Sequence, residues 1–278
     1  MKRTMLICIA AAVTLGAWAC VLTASDTAKE KSMPQTQPAA SKPAIGIDPK
    51  PAVRKLLTHV IHRPKGPVKI DADWNKDVWK DVPAVTLEYY MGDKPAFAPR
   101  VQAKMLWDDK NLYIIWLVED HYVLAKRAKH QEPVCLDSCA EFFFTPGEDW
   151  QQYGYYNLEM SATGVMWLSA HPAGKPAVML AADDLATVEI ASSLKGPIEK
   201  EMVGPTVWTL EYRLPIETMA KHSNGKFLRP AKGVTWRANF YKCADETSRP
   251  HWLTWSPIVW KAPAFHIPRQ FGILKFED

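Results

Sequence analysis

VQAKMLWDDKNLYIIWLVED, residues 101–120, reads as two strands around a turn. In the first, Val101, Ala103, Met105 and Trp107 recur at every second position, the period of a strand with one buried face. Asp108-Asp109-Lys110-Asn111 is a turn signal. The run after it, LYIIWLVED, is apolar at odd and even positions alike, so it is expected to be a central strand covered on both faces. Two strands alone do not make a stable unit in water, so the partners must come from the rest of the chain.

They are there to be read. AEFFFTPGED (140–149), YGYYNLEMSATGVMWLSA (153–170), VWTLEYRLPIE (207–217), VTWRANFYK (234–242), HWLTWSP (251–257) and QFGILKF (270–276) are short, rich in aromatic and β-branched residues, and bounded by Gly, Pro, Asn or Asp. Helical pattern is confined to a turn in DADWNKDVWKDV (71–82), with Trp74, Val78 and Trp79 to bury, and to Ile216–His222. Many short strands with hardly any helix imply an all-β fold, a jelly-roll-like sandwich of two antiparallel sheets with minor helix.

Upstream the composition changes. MKRTMLICIAAAVTLGAWAC has a basic start, an apolar run from Met5 to Leu15 and small residues beyond it, the pattern of a secretory leader over 1–19. The run is short for a membrane span. Cys20 follows Ala17-Trp18-Ala19, which leaves two outcomes open: simple secretion, or lipid attachment on Cys20. That lipid is the one membrane contact expected, and the location is the periplasm, outer membrane or cell surface. Residues 20–58, dominated by Ser, Thr, Gln, Ala, Lys and Pro, are expected to be a disordered tether. The folded domain is expected over 59–278.

The bulk numbers exclude some classes. A formal charge of +4, falling to +2 without Lys2 and Arg3, is no footprint for nucleic acid. At 47% hydrophobic and 23% charged, the chain has the apolar material for one sizeable core, and a monomer is expected. The folded part carries Cys135, Cys139 and Cys243, which permits one disulfide with a free thiol or three thiols. Cys135 and Cys139 supply too few ligands for zinc, and no metal is expected from them. GxSxG, HExxH, P-loop and GxGxxG patterns are absent, so no catalytic residues are assigned.

The segment Trp236–Phe276 holds four tryptophans beside Arg237, Arg249, His251, His266 and Arg269. Alternation places Trp236, Ala238 and Phe240 in the core and Arg237, Asn239 and Tyr241 on the other face. Trp107, Trp116 and Trp208 also sit on core-facing phases. The loop from Arg249 to His266 is the part that could face a ligand. Aromatic rings beside guanidinium and amide groups suit a sugar, which has one apolar face and a rim of hydroxyls.

Four blocks in order then carry a family resemblance. VKIDADWNKDVW, VQAKMLWDDKNLYIIWLVED, LDSCAEFFFTP and WRANFYK…LTWSP…FHIPRQFGILKF resemble the opening motif, hairpin, "D-S-x-x-E-x-F" strand and closing segment of family 9 carbohydrate-binding modules. The resemblance spans about Pro67 to Phe276. It implies a sandwich that binds oligo- or polysaccharide without chemistry, in a slot between two aromatic rings. Matching the blocks carries sugar contacts onto Glu141, Arg249 and Glu159. Stacking falls on Phe265, with Trp260 close enough to substitute. The second stacking tryptophan belongs just before Asp137-Ser138, where this chain has Val134 and Cys135. No cofactor is implied, although the family often carries structural calcium.

Two other classes are weighed beside binding. Related sandwiches hold haem, for which Met160, Met166 and His171 are the conceivable ligands. Glu141 and Glu159, on adjacent strands, could instead form the carboxylate pair of a glycosidase.

Overall fold

The computed structural model describes residues 45–278. The leader, Cys20 and most of the expected tether lie outside them. Two sheets make a sandwich with few short helices, as the strand pattern implies. The smaller sheet runs Glu189–Ser192, Ile198–Pro215, Asn111–Ala125, Arg100–Trp107, Val85–Thr86. The larger runs Lys50–Pro51, Tyr89–Tyr90, Trp252–Thr254, Thr235–Cys243, Cys139–Thr145, Tyr155–Ser161, Met166–His171, Val178–Met179. Gly272–Phe276 pairs with the first half of Thr235–Cys243 and, on its other side, with Thr58–Ile61.

The inner faces meet as the alternation requires. Val101, Ala103, Met105, Trp107, Trp116, Trp208, Trp236, Ala238 and Phe240 all belong to one buried cluster. Trp116 meets Phe240 edge-to-face across the two layers, 5.6 Å between centroids. Trp255 joins the same cluster, as does Met160 beside its cross-strand partner Met166. Each fully buried side chain of this size contributes about 2–3 kcal/mol of transfer free energy, which is why these positions fix the layers.

The two-faced apolarity of Asn111–Ala125 also finds its cause. Its inner residues join the core, and its outer Tyr113 and Ile115 are covered by the segment 68–82, where Trp79 is fully buried. Asp77–Lys80 is the expected helical turn in that segment, and Ile216–Lys221 is the other.

One buried carboxylate locks this cover in place. Glu211 points outward from the smaller sheet and is 0% exposed. It accepts from the backbone N–H of Asp71 and Ala72, from Trp79 Nε1 and from Lys76 Nζ. Lys76 Nζ donates also to Asp71 Oδ1 and the Lys69 carbonyl. The oxygen atoms of the opening motif therefore hold an ammonium, in the manner that a hard cation would be held.

Beyond the two expected helical turns, Trp150–Tyr153 and Ala182–Leu185 are helical as well, and the N-terminal boundary also differs from expectation. Residues 47–58 are not a free tether: Ile47 N–H donates to the Ala98 carbonyl, Lys50–Pro51 pairs with Tyr89–Tyr90, and Thr58 pairs with Ile273. The packed unit thus starts before residue 59. These pairings, at Lys50–Pro51 and Thr58–Ile61, are parallel, whereas the other strand pairs of the larger sheet are antiparallel. The incoming chain is laid alongside existing strands and not folded back by a hairpin, so hairpin signals could not announce it.

Candidate functional site

The outer face of the larger sheet is where the carried-over positions should meet. Register places Trp167, Glu159, Glu141, Tyr241 and Thr254 in one row across five strands. Residues two positions along give the neighbouring rows Ser169, Asn157, Phe143, Asn239 and Ser161, Cys139, Cys243, Trp252. The closing loop crosses this face and packs Ile258, Phe265, Ile267 and Phe271 against Phe143 and Tyr241.

The five positions at which the family resemblance places sugar contacts have different surroundings. Phe265 is buried and stacked on Tyr241, centroids 4.1 Å apart and planes 9° from parallel. The Tyr241 hydroxyl donates to the Phe265 carbonyl at 3.2 Å. Glu141 is 1% exposed and accepts from Cys243 Sγ at 3.0 Å. Glu159, directly opposite, is 7% exposed and accepts from Asn157 Nδ2 at 2.8 Å. Arg249 is exposed and lies over Tyr122, 5.5 Å from the ring centroid. Trp260 is 43% exposed. The structure brings Glu141 and Glu159 together and lays Phe265 on Tyr241, the next residue in their row. Arg249 and Trp260 each have other surroundings.

Burial raises the proton affinity of the whole carboxylate group. Glu141 is pushed well above the ordinary carboxylate range by burial first and by Glu159 second. Glu159 is pushed upward chiefly by burial, and Asp245 to about 6 for the same reason. Neighbouring carboxylates in a dry site cannot both ionise cheaply. The carboxyl groups are buried and not in an open cleft, which is not the geometry of a glycosidase pair flanking a substrate. Cys135, Cys139 and Cys243 are unpaired thiols, and burial pushes each of them up, Cys139 to about 12. Sγ of Cys139, Sγ of Cys243 and a Glu141 oxygen lie within 4.8 Å of one another.

The three conceivable haem ligands do not converge. Met160 and Met166 face the core between the sheets, whereas His171 stacks on Tyr155 on the outer face, 4.2 Å between centroids.

A second feature was not legible beforehand. A groove of about 630 Å³ runs beside Trp260, within the usual volume of a ligand site. Its charged lining is Arg54, Lys55, Lys261 and Arg269, with no carboxylate among the lining residues. The Arg269 guanidinium lies over the indole, 4.6 Å from its centroid. Gln270 clamps the loop: Val259 N–H donates to Gln270 Oε1 at 2.8 Å, and Gln270 Nε2 donates to the Val259 carbonyl at 3.1 Å. The amide therefore fixes the residue next to Trp260. Arg54 and Lys55 come from the segment whose composition reads as tether. Their one local signal is the apolar Leu56 beside them, since the contact with 257–270 is made only by the fold.

The "D-S" block proves structural. Asp137 is fully buried and accepts from the N–H groups of Lys126 and Arg127 and from the Arg127 guanidinium. Ser138 Oγ accepts from Leu124 N–H.

The family described as carbohydrate-binding family 9 matches residues 73–276. A protein of Bacteroides uniformis, proposed to bind carbohydrate, shares 25% identity over 80% of this chain and 100% of its own, with a TM-score of 0.71. A family 9 module from Caldicellulosiruptor kristjanssonii, solved with cellotriose, shares the fold at 15% identity and a TM-score of 0.51, over 79% of this chain and 94% of its own. A second structure from that organism, with glucose, gives 17% identity and 0.52 over 79% and 96%. No curated protein matches the chain.

Proposed function

The chain belongs to carbohydrate-binding family 9, and from that premise we propose that it binds saccharide without catalysis, on the groove beside Trp260. The observation that carries the placement is the exposed indole. Of the two stacking candidates, Phe265 is committed to Tyr241, while Trp260 offers its ring at the edge of a groove. Covering that ring with the axial C–H face of a sugar removes apolar area from water, about 1–3 kcal/mol for a well-covered face. Micromolar to millimolar affinity, about 4–8 kcal/mol, suits a shallow site of this kind.

The groove's charge names the class of sugar. Four cations and no carboxylate line it, so a saccharide bearing carboxylate or sulfate groups gains charge-assisted hydrogen bonds that a neutral one does not. Arg269, stacked on the indole, presents a planar fork suited to such groups. Arg249, the remaining exposed position that the family pattern suggests, serves a longer chain if one is bound.

A glycan array probed with the full chain tests this reading. Expected is retention of uronic-acid or sulfated oligosaccharides, weakened by added salt and by Trp260→Ala. Absence of binding to every saccharide, or binding that Trp260→Ala leaves unchanged, overturns it. We also propose export, on the leader pattern of residues 1–19. Mass spectrometry of the mature N-terminus checks cleavage before Cys20, and a diacylglyceryl mass on Cys20 separates tethering from release.

A further inference from the structure

We propose that Cys139, Cys243 and Glu141 form a binding site for a thiophilic divalent metal ion, zinc being the natural occupant. The site is independent of the saccharide groove. It is assembled by register. Cys139 and Cys243 are directly opposite on adjacent antiparallel strands, and Glu141 stands two positions from Cys139 on the same face. All three residues are buried. Cys243 Sγ is 3.0 Å from Glu141 Oε1, and the three ligand atoms fit within 4.8 Å. Bond lengths of about 2.3 Å to sulfur and 2.0–2.2 Å to oxygen put tetrahedral ligands about 3.5–3.8 Å apart. The Cys243–Glu141 pair at 3.0 Å therefore has to open by about half an ångström, while the longest separation, at most 4.8 Å, closes by about one.

A fourth ligand is at hand. Cys135 lies in the 3-10 turn Val134–Leu136, and its carbonyl accepts from Cys243 Sγ at 3.2 Å. Cys135 is half-buried and packs against the cluster, so a turn of its side chain would close the shell. This is the position at which the family resemblance places a stacking tryptophan. A sulfur replaces the ring.

Charge supports the same assignment. Glu141 faces Glu159 across the strand pair, with Asp245 nearby. Lys242, the cation nearest in sequence, turns to the other side of its strand, where Nζ donates to the Cys243 carbonyl and to His251 Nε2. The Lys242 charge reaches Glu141, Cys139 and Asp245 only through space, so the group stays protonated when dry, and a divalent ion supplies the charge that lets its ligands ionise. Two thiolates with one carboxylate select a borderline-soft ion over calcium. On binding, the Cys139 and Cys243 thiols and the raised Glu141 carboxyl give up their protons to solvent, as does the Cys135 thiol when it closes the shell, and the ion's two positive charges offset part of the negative charge so formed.

The test uses the full chain, reduced and stripped of metal. Zinc is titrated against a chromogenic chelator, and cobalt(II) serves as the optical probe. Expected is one equivalent of zinc, a raised Tm, and a cobalt spectrum with thiolate charge-transfer and tetrahedral bands. Cys139→Ser and Glu141→Gln are each expected to weaken zinc by about 100-fold or more. Trp260→Ala leaves zinc uptake unchanged. Should the serine variant fail to fold, alkylation of the native thiols supplies the check, since zinc must protect Cys139 and Cys243 together. No stoichiometric uptake, an octahedral cobalt spectrum, or a Cys139–Cys243 disulfide in protein isolated without reductant overturns the proposal.

Discussion

The guanidinium of Arg269 rests 4.6 Å from the centre of the Trp260 ring. A cation on one face both orients the indole and leaves the opposite face as the stacking surface, while Gln270 holds the backbone beside it. Trp260→Ala is therefore expected to weaken saccharide binding by about 10- to 100-fold. Because Trp260 is 43% exposed, Tm should move by no more than a few degrees. Isothermal titration beside differential scanning calorimetry reads both, and equal losses of fold and binding would assign the ring to the core.

Lys76 and Glu211 give the opposite expectation. Nζ is 2.7 Å from Glu211 Oε1, whose side chain is 0% exposed. Removing the lysine leaves a buried carboxylate with only neutral donors. Lys76→Met should cost about 3 kcal/mol in urea unfolding, the lower end for a broken buried pair because Lys76 itself keeps some contact with water. Saccharide affinity should stay unchanged where the variant is folded.

His251 sets a pH dependence. It is 1% exposed; its Nε2 accepts from Lys242, and its Nδ1–H donates to the Arg249 carbonyl. The imidazole is thus held neutral in one tautomer, and burial together with the Lys242 charge keeps its pKa well below 6.5. A lowered histidine pKa stabilises the fold above the unfolded value, and that contribution is lost as pH falls below about 6.5. The loss is about 1.4 kcal/mol per pH unit while the ring stays neutral. Urea midpoints for the native chain and His251→Gln should therefore converge between pH 6.5 and 5. Taking the difference matters, because the raised carboxylates act with the opposite sign: they lose stability as pH rises.

Gly272 is required for space. A Cβ there would stand 2.5 Å from the Trp255 ring and 2.9 Å from the Leu57 carbonyl. Trp255 is buried in the core, and Leu57 O is held by Ile273 N–H, so neither neighbour yields freely. Gly272→Ala should cost about 1–3 kcal/mol and lower Tm by roughly 3–10 °C, measured by thermal unfolding.

The phases of the strands were legible because they are local. Alternation in 101–107 and 234–240 predicts which side chains enter the core, and Trp107, Trp116, Trp208 and Trp236 are all buried there. The site was less legible. Glu141 and Glu159 were found by pattern and do sit side by side, yet nothing local says that both are buried or that the closing loop packs on Phe143 and Tyr241 of the same face. Arg54 and Lys55 were missed because their partners lie some two hundred residues on.

What the sequence by itself determined is the all-β class, the faces of its strands and the family to which the chain belongs, since periodicity and ordered motifs depend on neighbours along the chain. Tertiary structure alone decided which side chains meet: that Phe265 fills the face while Trp260 stays in water, and that Cys243 is set against Glu141, 102 residues away. Cross-strand register is fixed by the packing of whole sheets, and a slip of one residue in either strand would turn its thiol to the opposite face from the other.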